Sequence, residues 1–531
     1  MDPTPILRLL ATRRLAKLDR MEPAAVQQRT LLDLINRGKA TRFGRDHDFA
    51  SIRSVEDYQA RVPLRAFEDF WADYWQAPWP ILDDVSWPGR IPFFARTSGT
   101  TTGRTKFIPI TKEIIKGNER TGFDLMAFHL RQNPRSRPLA GKSFIVAGSA
   151  ALEELSPGVF SGDVSGINTK LMPLWVSRRI IPSGKQALIS DWDEKVAVLS
   201  REALGQRITM MSGMCNWLLA MLDHIRLRRE EAGEHEGPTL PDLQLMIHSG
   251  VPMDLYRERL SAHLQGAPVE TRELYAASEG FIACADRGPG EGLRMMLDND
   301  LFMEFVPLEE LESPSPRRFW AANVEPGVDY AIALSNNAGL WSYLLGDVVR
   351  FVDTNPLRLL VLGRTSQMLS PFGEHLIAAE IDAAVREAAA GLGIGLAEYT
   401  VGPVMPERIG ARGYHVYIIE PTALIDSSYV GDLSALAVKA AELIDHALCA
   451  RNEDYQAQRK GGQGVAGPRV IWAGPGIFEA WMRAKNKLGG QHKVPRVTSK
   501  PDRFAALTNE LGLQIESNYD EARHARLEQA V

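Results

Sequence analysis

A run of hydroxyls and glycines ending in a cation, Arg96-Thr97-Ser98-Gly99-Thr100-Thr101-Thr102-Gly103-Arg104-Thr105-Lys106, stands directly after the short apolar stretch from Ile91 to Ala95. The two glycines let the backbone turn its N–H groups inward, the hydroxyls add donors, and Lys106 adds positive charge, a composition suited to polyphosphate oxygens. It is not a P-loop. That motif needs four residues between its glycines and then Lys followed by Ser or Thr, whereas three residues separate Gly99 from Gly103 and Arg104 follows. Taken alone, such a Thr/Gly run also describes a polar surface turn.

A second constellation, Glu273-Leu274-Tyr275-Ala276-Ala277-Ser278-Glu279-Gly280, gathers an aromatic ring, a hydroxyl and a carboxylate after a strand-like stretch. Tyr275 offers a face for adenine. Glu279 offers hard oxygen to a magnesium ion, which keeps several waters and bridges to substrate phosphates. As a bare pattern the segment equally describes a strand end followed by a helix N-cap. A third constellation, Trp341-Ser342-Tyr343-Leu344-Leu345-Gly346-Asp347-Val348-Val349-Arg350-Phe351, has Gly346 to permit a turn and Asp347 to offer two acceptors to a ribose diol. Beyond it lie Gly363-Arg364-Thr365-Ser366-Gln367 and Phe372-Gly373-Glu374-His375-Leu376, which read as a hinge because the chain's patterning changes there.

The elements that must position these residues are legible in outline. Residues 1 to about 90 read as helical, with Leu31, Leu32, Leu34 and Ile35 spaced for one face. The aromatics Phe67, Phe70, Trp71, Tyr74 and Trp75 read as core more than as an acyl pocket. From 91 to about 365, apolar runs at Ser143 to Ala147, Leu243 to Ile247, Leu301 to Val306, Tyr330 to Leu334 and Leu359 to Leu362 alternate with helical stretches, which is α/β patterning. The first two runs end in Gly148-Ser149 and His248-Ser249-Gly250, where ligands approach an open sheet, although His248 itself reads as structural. After 365 a helix near Glu374 to Ala389, strands near Glu398 to Gly402 and Tyr414 to Glu420, and a long helix from Leu433 to Gln458 are expected. A strand near Val470 to Trp472 and a helix near Ile477 to Lys485 follow, giving a small α+β domain. The tract Gly461-Gly462-Gln463-Gly464 reads as a surface turn. Two domains are therefore expected, over 1–365 and 366–531.

Composition narrows the function classes. The 531 residues suffice for more than one core, and 45% hydrophobic with 24% charged residues is the balance of a soluble globular protein. A net charge of −5 from 61 basic and 66 acidic residues supplies no global field for nucleic acid. The mixed run from Arg226 to Glu231 reads as a solvated helix face. Cys215, Cys284 and Cys449 have no paired spacing, so neither a disulfide framework nor a zinc cluster is indicated and a reducing cytoplasm is expected. Leu7, Leu9, Leu10 and Leu15 among Arg8, Arg13, Arg14 and Lys17 read as a packed amphipathic helix and not as a signal. No apolar stretch reaches the 18 or so residues of a span, so no membrane partner is expected. There is no Gly-x-Ser-x-Gly elbow.

In this order the elements resemble the adenylate-forming superfamily, which shares a Ser/Thr/Gly phosphate loop, a Tyr-containing acidic motif, a Tyr-x-x-Gly-Asp motif and a hinge before a mobile C-terminal domain. From about residue 25 to 500 the chain is more specifically similar to the auxin-responsive Gretchen Hagen family of acyl-acid-amido synthetases. The likeness is carried by Thr41-Arg42-Phe43-Gly44, Val62-Pro63-Leu64, Lys106-Phe107-Ile108-Pro109 and Gly489-Gly490-Gln491-His492-Lys493-Val494-Pro495-Arg496. The resemblance implies a large N-terminal α/β domain with mixed sheets and a smaller C-terminal α+β lid. It implies ATP and Mg2+ as cofactors, a small carboxylic acid and an amino acid as substrates, and AMP-forming ligation to an amide. The nucleotide-binding roles then fall on Ser98, Gly99, Thr100, Thr101, Tyr275, Ser278, Glu279 and Asp347, the metal on Glu279, and catalysis on Lys493. Thr97 stands where Ser is frequent, and Ala276-Ala277 lie inside the acidic motif. Acyl preference stays open. An acyl-CoA ligase sharing the first half-reaction and a non-catalytic nucleotide-binding regulator are the rival readings.

Overall fold

The structure is a computed structural model, and it describes the chain apart from residues 1, 99–104, 173, 250–256, 312, 366–368, 370, 373, 375, 406–411, 424–432, 461–464, 486–493 and 514–531. The fold is mixed α/β, in two compact units, Met1–Val361 and Leu362–Val531.

The first unit opens with helices α1 (Thr4–Leu18), α2 (Pro23–Gly38), α3 (Arg42–Asp46), α4 (Val55–Arg61) and α5 (Phe67–Phe70). Their starts are set by caps. The Glu22 carboxylate accepts from Ala24 and Ala25 N–H with Pro23 in the first turn, and Thr41 and Ser54 cap α3 and α4 through Gly44 and Asp57 N–H. Leu31, Leu34 and Ile35 share the buried face of α2. Gly44 is required by a close approach, since a Cβ there would lie 2.2 Å from the Gly38 carbonyl oxygen. Phe67, Phe70, Tyr74 and Trp75 are buried in the largest core, where Phe70 stacks on Trp75 at 5.0 Å between ring centres, as the packing reading of these aromatics requires.

There follow β1 (Phe93–Ser98), β2 (Thr105–Ile110), the helix α6 (Lys112–Gln132), β3 (Lys142–Val146), β4 (Leu152–Ser156), β5 (Val159–Gly162), α7 (Val164–Leu171) and α8 (Leu174–Ser177). Next come β6 (Ile180–Ile181), α9 (Trp192–Ala203), β7 (Ile208–Met214), α10 (Cys215–Glu231), β8 (Leu245–Ser249), α11 (Arg257–Leu264) and β9 (Glu270–Ala277). Then come β10 (Gly280–Cys284), β11 (Leu293–Met295), β12 (Leu301–Pro307), β13 (Phe319–Trp320), β14 (Asp329–Asn336), β15 (Tyr343–Thr354) and β16 (Leu357–Arg364).

Twelve of these strands form one sheet in the order β13-β12-β14-β15-β16-β11-β10-β9-β8-β7-β3-β6, and β2-β1-β5-β4 form a smaller one. From β6 through β3, β7 and β8 to β9 the pairs are parallel, and β9 with β10 begins the antiparallel part. The parallel half has its own apolar core around Phe144, Leu218, Leu222 and Met246. Strand β9, which carries Tyr275, is thus where the sheet changes character.

The second unit contains α12 (Ala378–Gly391), β17 (Leu396–Val404), β18 (Tyr414–Pro421), α13 (Leu433–Cys449), α14 (Glu453–Lys460), β19 (Arg469–Trp472), α15 (Ile477–Ala484) and α16 (Pro501–Glu510), with a sheet ordered β17-β18-β19. Two expectations need correction. The helix expected from Glu374 starts at Ala378, because Glu374 is wholly buried, paired with His415 Nε2 at 2.8 Å and accepting from Phe372 N–H at 2.8 Å. The helix expected to run unbroken from Leu433 to Gln458 stops at Cys449, and a new one begins after Asn452, whose Oδ1 caps it by accepting from Tyr455 N–H at 2.7 Å. The Gly461–Gly464 tract lies outside the described residues. Among the described residues no helix is long and apolar enough to cross a membrane.

Candidate functional site

Strands β9 and β10 pair with Ala277 opposite Gly280, so Ser278 and Glu279 are the two residues of a tight turn, and the alternative of a strand end leading into a helix does not hold. Gly280 has φ +146°, and a Cβ there would sit 2.9 Å from the Leu301 side chain, so the position after Glu279 needs glycine. Three buried asparagines hold the backbone on either side. Asn336 Nδ2 donates to the Glu279 carbonyl at 2.9 Å, Phe281 N–H donates to Asn118 Oδ1 at 2.9 Å, and Asn299 Nδ2 donates to the Phe281 carbonyl. Asn336 is itself fixed, its Oδ1 accepting from Ala338 N–H at 2.9 Å and Leu340 N–H at 3.2 Å. Asn118 rides on α6, whose cap Thr111 accepts from Ile114 N–H and donates to the Asn337 carbonyl at 2.9 Å. These contacts tie α6 both to the acidic turn and to the β14–β15 connection. Glu279 is 8% exposed, and the frame uses only backbone atoms of its turn.

Asp347 is brought to β9 by a bulge. Along β14–β15 the register passes from Ala331 opposite Val348 to Ala333 opposite Leu344, so β15 carries extra residues there, and Gly346 takes φ +85°. Gly346 therefore makes a kink within a strand and not a turn between strands. The result is that Tyr275 Oη donates to Asp347 Oδ2 at 2.7 Å across 72 residues of sequence, both groups being buried. A hydroxyl bonded to a carboxylate is a charge-assisted contact, stronger and more directional than a neutral one. It anchors the phenol ring that the sequence offers as an adenine platform and fixes one oxygen of the carboxylate offered to ribose.

Five residues earlier Ser342 takes φ +45° and enters a closed polar cluster. Glu304, wholly buried on β12, accepts from Arg318 Nε at 2.9 Å, Arg318 Nη2 at 3.0 Å, Ser342 Oγ at 2.7 Å and Gln59 Nε2 at 3.1 Å. Tyr58 Oη lies 2.7 Å from Ser335 Oγ, and burial beside Glu304 pushes its phenol well above the ordinary range. Sequence reading found neither this cluster nor the asparagine frame. Their members lie up to 284 residues apart and carry no motif.

The phosphate-loop candidate is flanked in sequence by β1 and β2, which pair antiparallel with Ser98 opposite Thr105. Gly99, Thr100 and Thr101 lie outside the described residues, as does Lys493, and of Ser98 only the backbone is described. Lys106 sits on β2 with its Nζ 3.9 Å from Glu68 Oε1 and 5.5 Å from the centre of the Phe67 ring. Among the described residues no group of three or more His, Cys, Asp or Glu is arranged around a common point for a metal. Magnesium does not require such a group, since it is held by one or two protein carboxylates and otherwise by substrate phosphates and water, and Glu279 is a carboxylate of that kind.

The chain matches the GH3 family N-terminal domain over residues 14–235, the GH3 family central domain over 294–364 and the GH3 family C-terminal domain over 379–502. It belongs to the GH3 family. The acidic turn falls between the first two matched segments, and Asp347 falls within the central domain. Among curated relatives, the probable indole-3-acetic acid-amido synthetase GH3.9 of Oryza sativa subsp. japonica is 30% identical over 266 residues, 47% of this chain and 58% of that protein. The chain thus aligns with less than two thirds of that relative's length. In fold, the AtGH3.15 acyl acid amido synthetase in complex with 2,4-DB superposes with a TM-score of 0.75 at 15% identity, covering 96% of this chain and 97% of that one. A 2-hydroxyisobutyryl-CoA ligase in complex with 2-HIB-AMP superposes at 0.59 with 17% identity, covering 92% of each chain. GH3 membership and the shared fold account for the α/β architecture.

Proposed function

We propose that this GH3 protein is an ATP-dependent acyl-acid-amido synthetase. It adenylates a small carboxylic acid and transfers the acyl group to an amino acid. The observation that carries the reading is the Tyr275–Asp347 hydrogen bond, which joins the acidic motif to the Gly-Asp motif. Their convergence within a GH3 chain is what a nucleotide site built from those motifs requires.

In the first step an oxygen of the acid attacks the α-phosphorus of ATP, the bond to the β-phosphate bridging oxygen breaks, and pyrophosphate leaves. In the second the amino nitrogen attacks the acyl carbonyl, AMP departs with the electron pair of the broken C–O bond, and the amine loses a proton. Asp347 accepts from the ribose hydroxyls while Tyr275 orients it and presents its ring to the base. Ser98, Gly99, Thr100 and Thr101 donate to phosphate oxygens, and Ser278 belongs with Tyr275 and Glu279 to the acidic motif that holds the nucleotide. Glu279 would hold magnesium, which would supply charge compensation on the phosphates. Lys493 supplies a positive charge where negative charge gathers around the α-phosphate. We assign residues 1–365 to nucleotide and acid binding and 366–531 to the lid, and place the reaction in the cytoplasm, with which three cysteines outside any disulfide are consistent.

Mass spectrometry of reactions offered ATP, a panel of carboxylic acids, coenzyme A and the twenty amino acids tests the assignment. An acyl–amino-acid amide with AMP is expected. A coenzyme A thioester as sole product would make the chain an acyl-CoA ligase, and absence of AMP with every acid would favour a nucleotide-binding regulator.

A further inference from the structure

Helix α1 is apolar on two faces. Its inner face, Ala11, Leu15 and Leu18, packs on Leu125 and Phe128 of α6. It is pinned there by Arg14, which donates to both oxygens of Asp124 at 2.7 and 2.6 Å and to both oxygens of Asp298 at 2.7 Å. The outer face carries Ile6, Leu9 and Leu10 at 67%, 59% and 48% exposure, three of the most exposed large aliphatic side chains described in the protein. Helical spacing of three and four continues that stripe through Arg13 and Lys17 toward Arg20. Between α1 and α2 lies a groove of about 460 Å³ walled by Arg13, Lys17, Arg20 and Arg29 over a floor that includes Met21 and Val26. Of these cations Lys17 alone forms an ion pair among the described residues, with Asp298 at 3.0 Å. The one carboxylate in the groove, Glu22, is turned onto the first turn of α2, accepting from Ala24 and Ala25 N–H.

We infer that this face docks on an anionic phospholipid surface, with Ile6, Leu9 and Leu10 entering the acyl boundary and the four cations meeting phosphate headgroups. Aliphatic side chains on a convex helix beside a basic cluster are what an anionic bilayer takes up. A protein interface instead concentrates Tyr, Trp and polar partners in a packed patch, and none of the stripe's residues is aromatic. The net charge of the chain is −5, so the basic face is a local feature that sets the orientation of approach. The helix is already folded and held by its inner face, so binding carries no cost of ordering it. The expectation of no membrane partner rested on the lack of a span, and this contact is peripheral. It stands independently of the nucleotide-site reading.

Co-sedimentation of the full chain with phosphatidylcholine vesicles, with and without phosphatidylglycerol, tests it, glycerol phosphate serving as the soluble anion. Binding is expected to the phosphatidylglycerol vesicles only and to be undiminished by glycerol phosphate. Arg13→Ala with Arg20→Ala should lower it on the order of 25-fold, about fivefold per cation. Leu9→Ser with Leu10→Ser should abolish sedimentation while amide synthesis, or ATP binding if no acid is turned over, stays at the parent level. Three outcomes would overturn the proposal. They are equal binding to neutral vesicles, variants that sediment like the parent, and self-association by light scattering that the Leu9/Leu10 variant loses.

Discussion

Two buried polar clusters lean on the β14–β15 connection, and they end differently. The cluster at Glu304 closes on itself, its carboxylate saturated by Arg318, Ser342 and Gln59 and its cation also bonding the Gln59 and Val62 carbonyls. The frame around Glu279 ends on backbone atoms, the Glu279 carbonyl and both polar groups of Phe281. A closed ion pair gives the strand a fixed start. A frame that grips the main chain on either side of the turn fixes where Glu279 stands, which is the support a ligand-binding residue needs.

If that contrast is right, the largest effect belongs to the closed cluster. Arg318→Met strands the Glu304 carboxylate in the core and should cost about 3–5 kcal/mol of unfolding free energy, as loss of one partner of a buried pair does. Urea denaturation of the folded fraction would measure it. Replacing both residues, with Glu304→Gln added, should cost less than Arg318→Met alone.

Next in size is Asp347→Ala, which should weaken ATP binding by roughly 1.5–3 kcal/mol through lost charge-assisted hydrogen bonds, with the affinity for the acid nearly unchanged. Calorimetry decides it, and unaltered nucleotide affinity would reduce Asp347 to a bulge residue. Asn336→Ala should cost on the order of 1–3 kcal/mol of stability through unpaired buried groups. It should also narrow the difference in ATP affinity with and without Mg2+, because Glu279 would no longer be held. A stability loss with that difference intact would make the frame purely structural.

The smallest effect is expected from the Arg14 cluster under acid. Burial works to raise Asp298, but Arg14 and Lys17 outweigh it and set its pKa at about 2, below the ordinary 3.8. A depressed carboxylate stabilises the fold above its unfolded pKa, and that contribution is lost as pH falls from about 4 toward 2. Burial dominates at neighbouring Asp124 and raises its pKa, so its contribution runs the other way and offsets part of the loss. Melting temperatures taken from pH 5 to pH 3 should fall in the parent and fall less in Asp298→Asn.

How much of this could be read from the sequence follows from the range of the interactions. The acidic segment, the Gly-Asp pair and the Thr/Gly run are local, and so were visible as residue types at fixed spacing. The apolar runs at Ser143 to Ala147, Leu301 to Val306 and Tyr330 to Leu334 likewise announced strands that the structure contains. The bond from Tyr275 to Asp347 spans 72 residues and the one from Asn118 to Phe281 spans 163, and no local pattern encodes either. The break before Asn452 has no glycine or proline to announce it, and the cap that starts the next helix depends on one side chain's rotamer.

Assembly of an adenylation site by the β9–β10 turn and the β15 bulge is tested most directly by acid-dependent ATP–pyrophosphate exchange, in the parent and in Glu279→Gln. Exchange that requires a carboxylic acid and Mg2+, and that falls on the order of 10²–10³-fold in Glu279→Gln while the melting temperature is unchanged, is the predicted result. Exchange in the variant equal to the parent, or none in the parent with any acid although ATP binds, would contradict it.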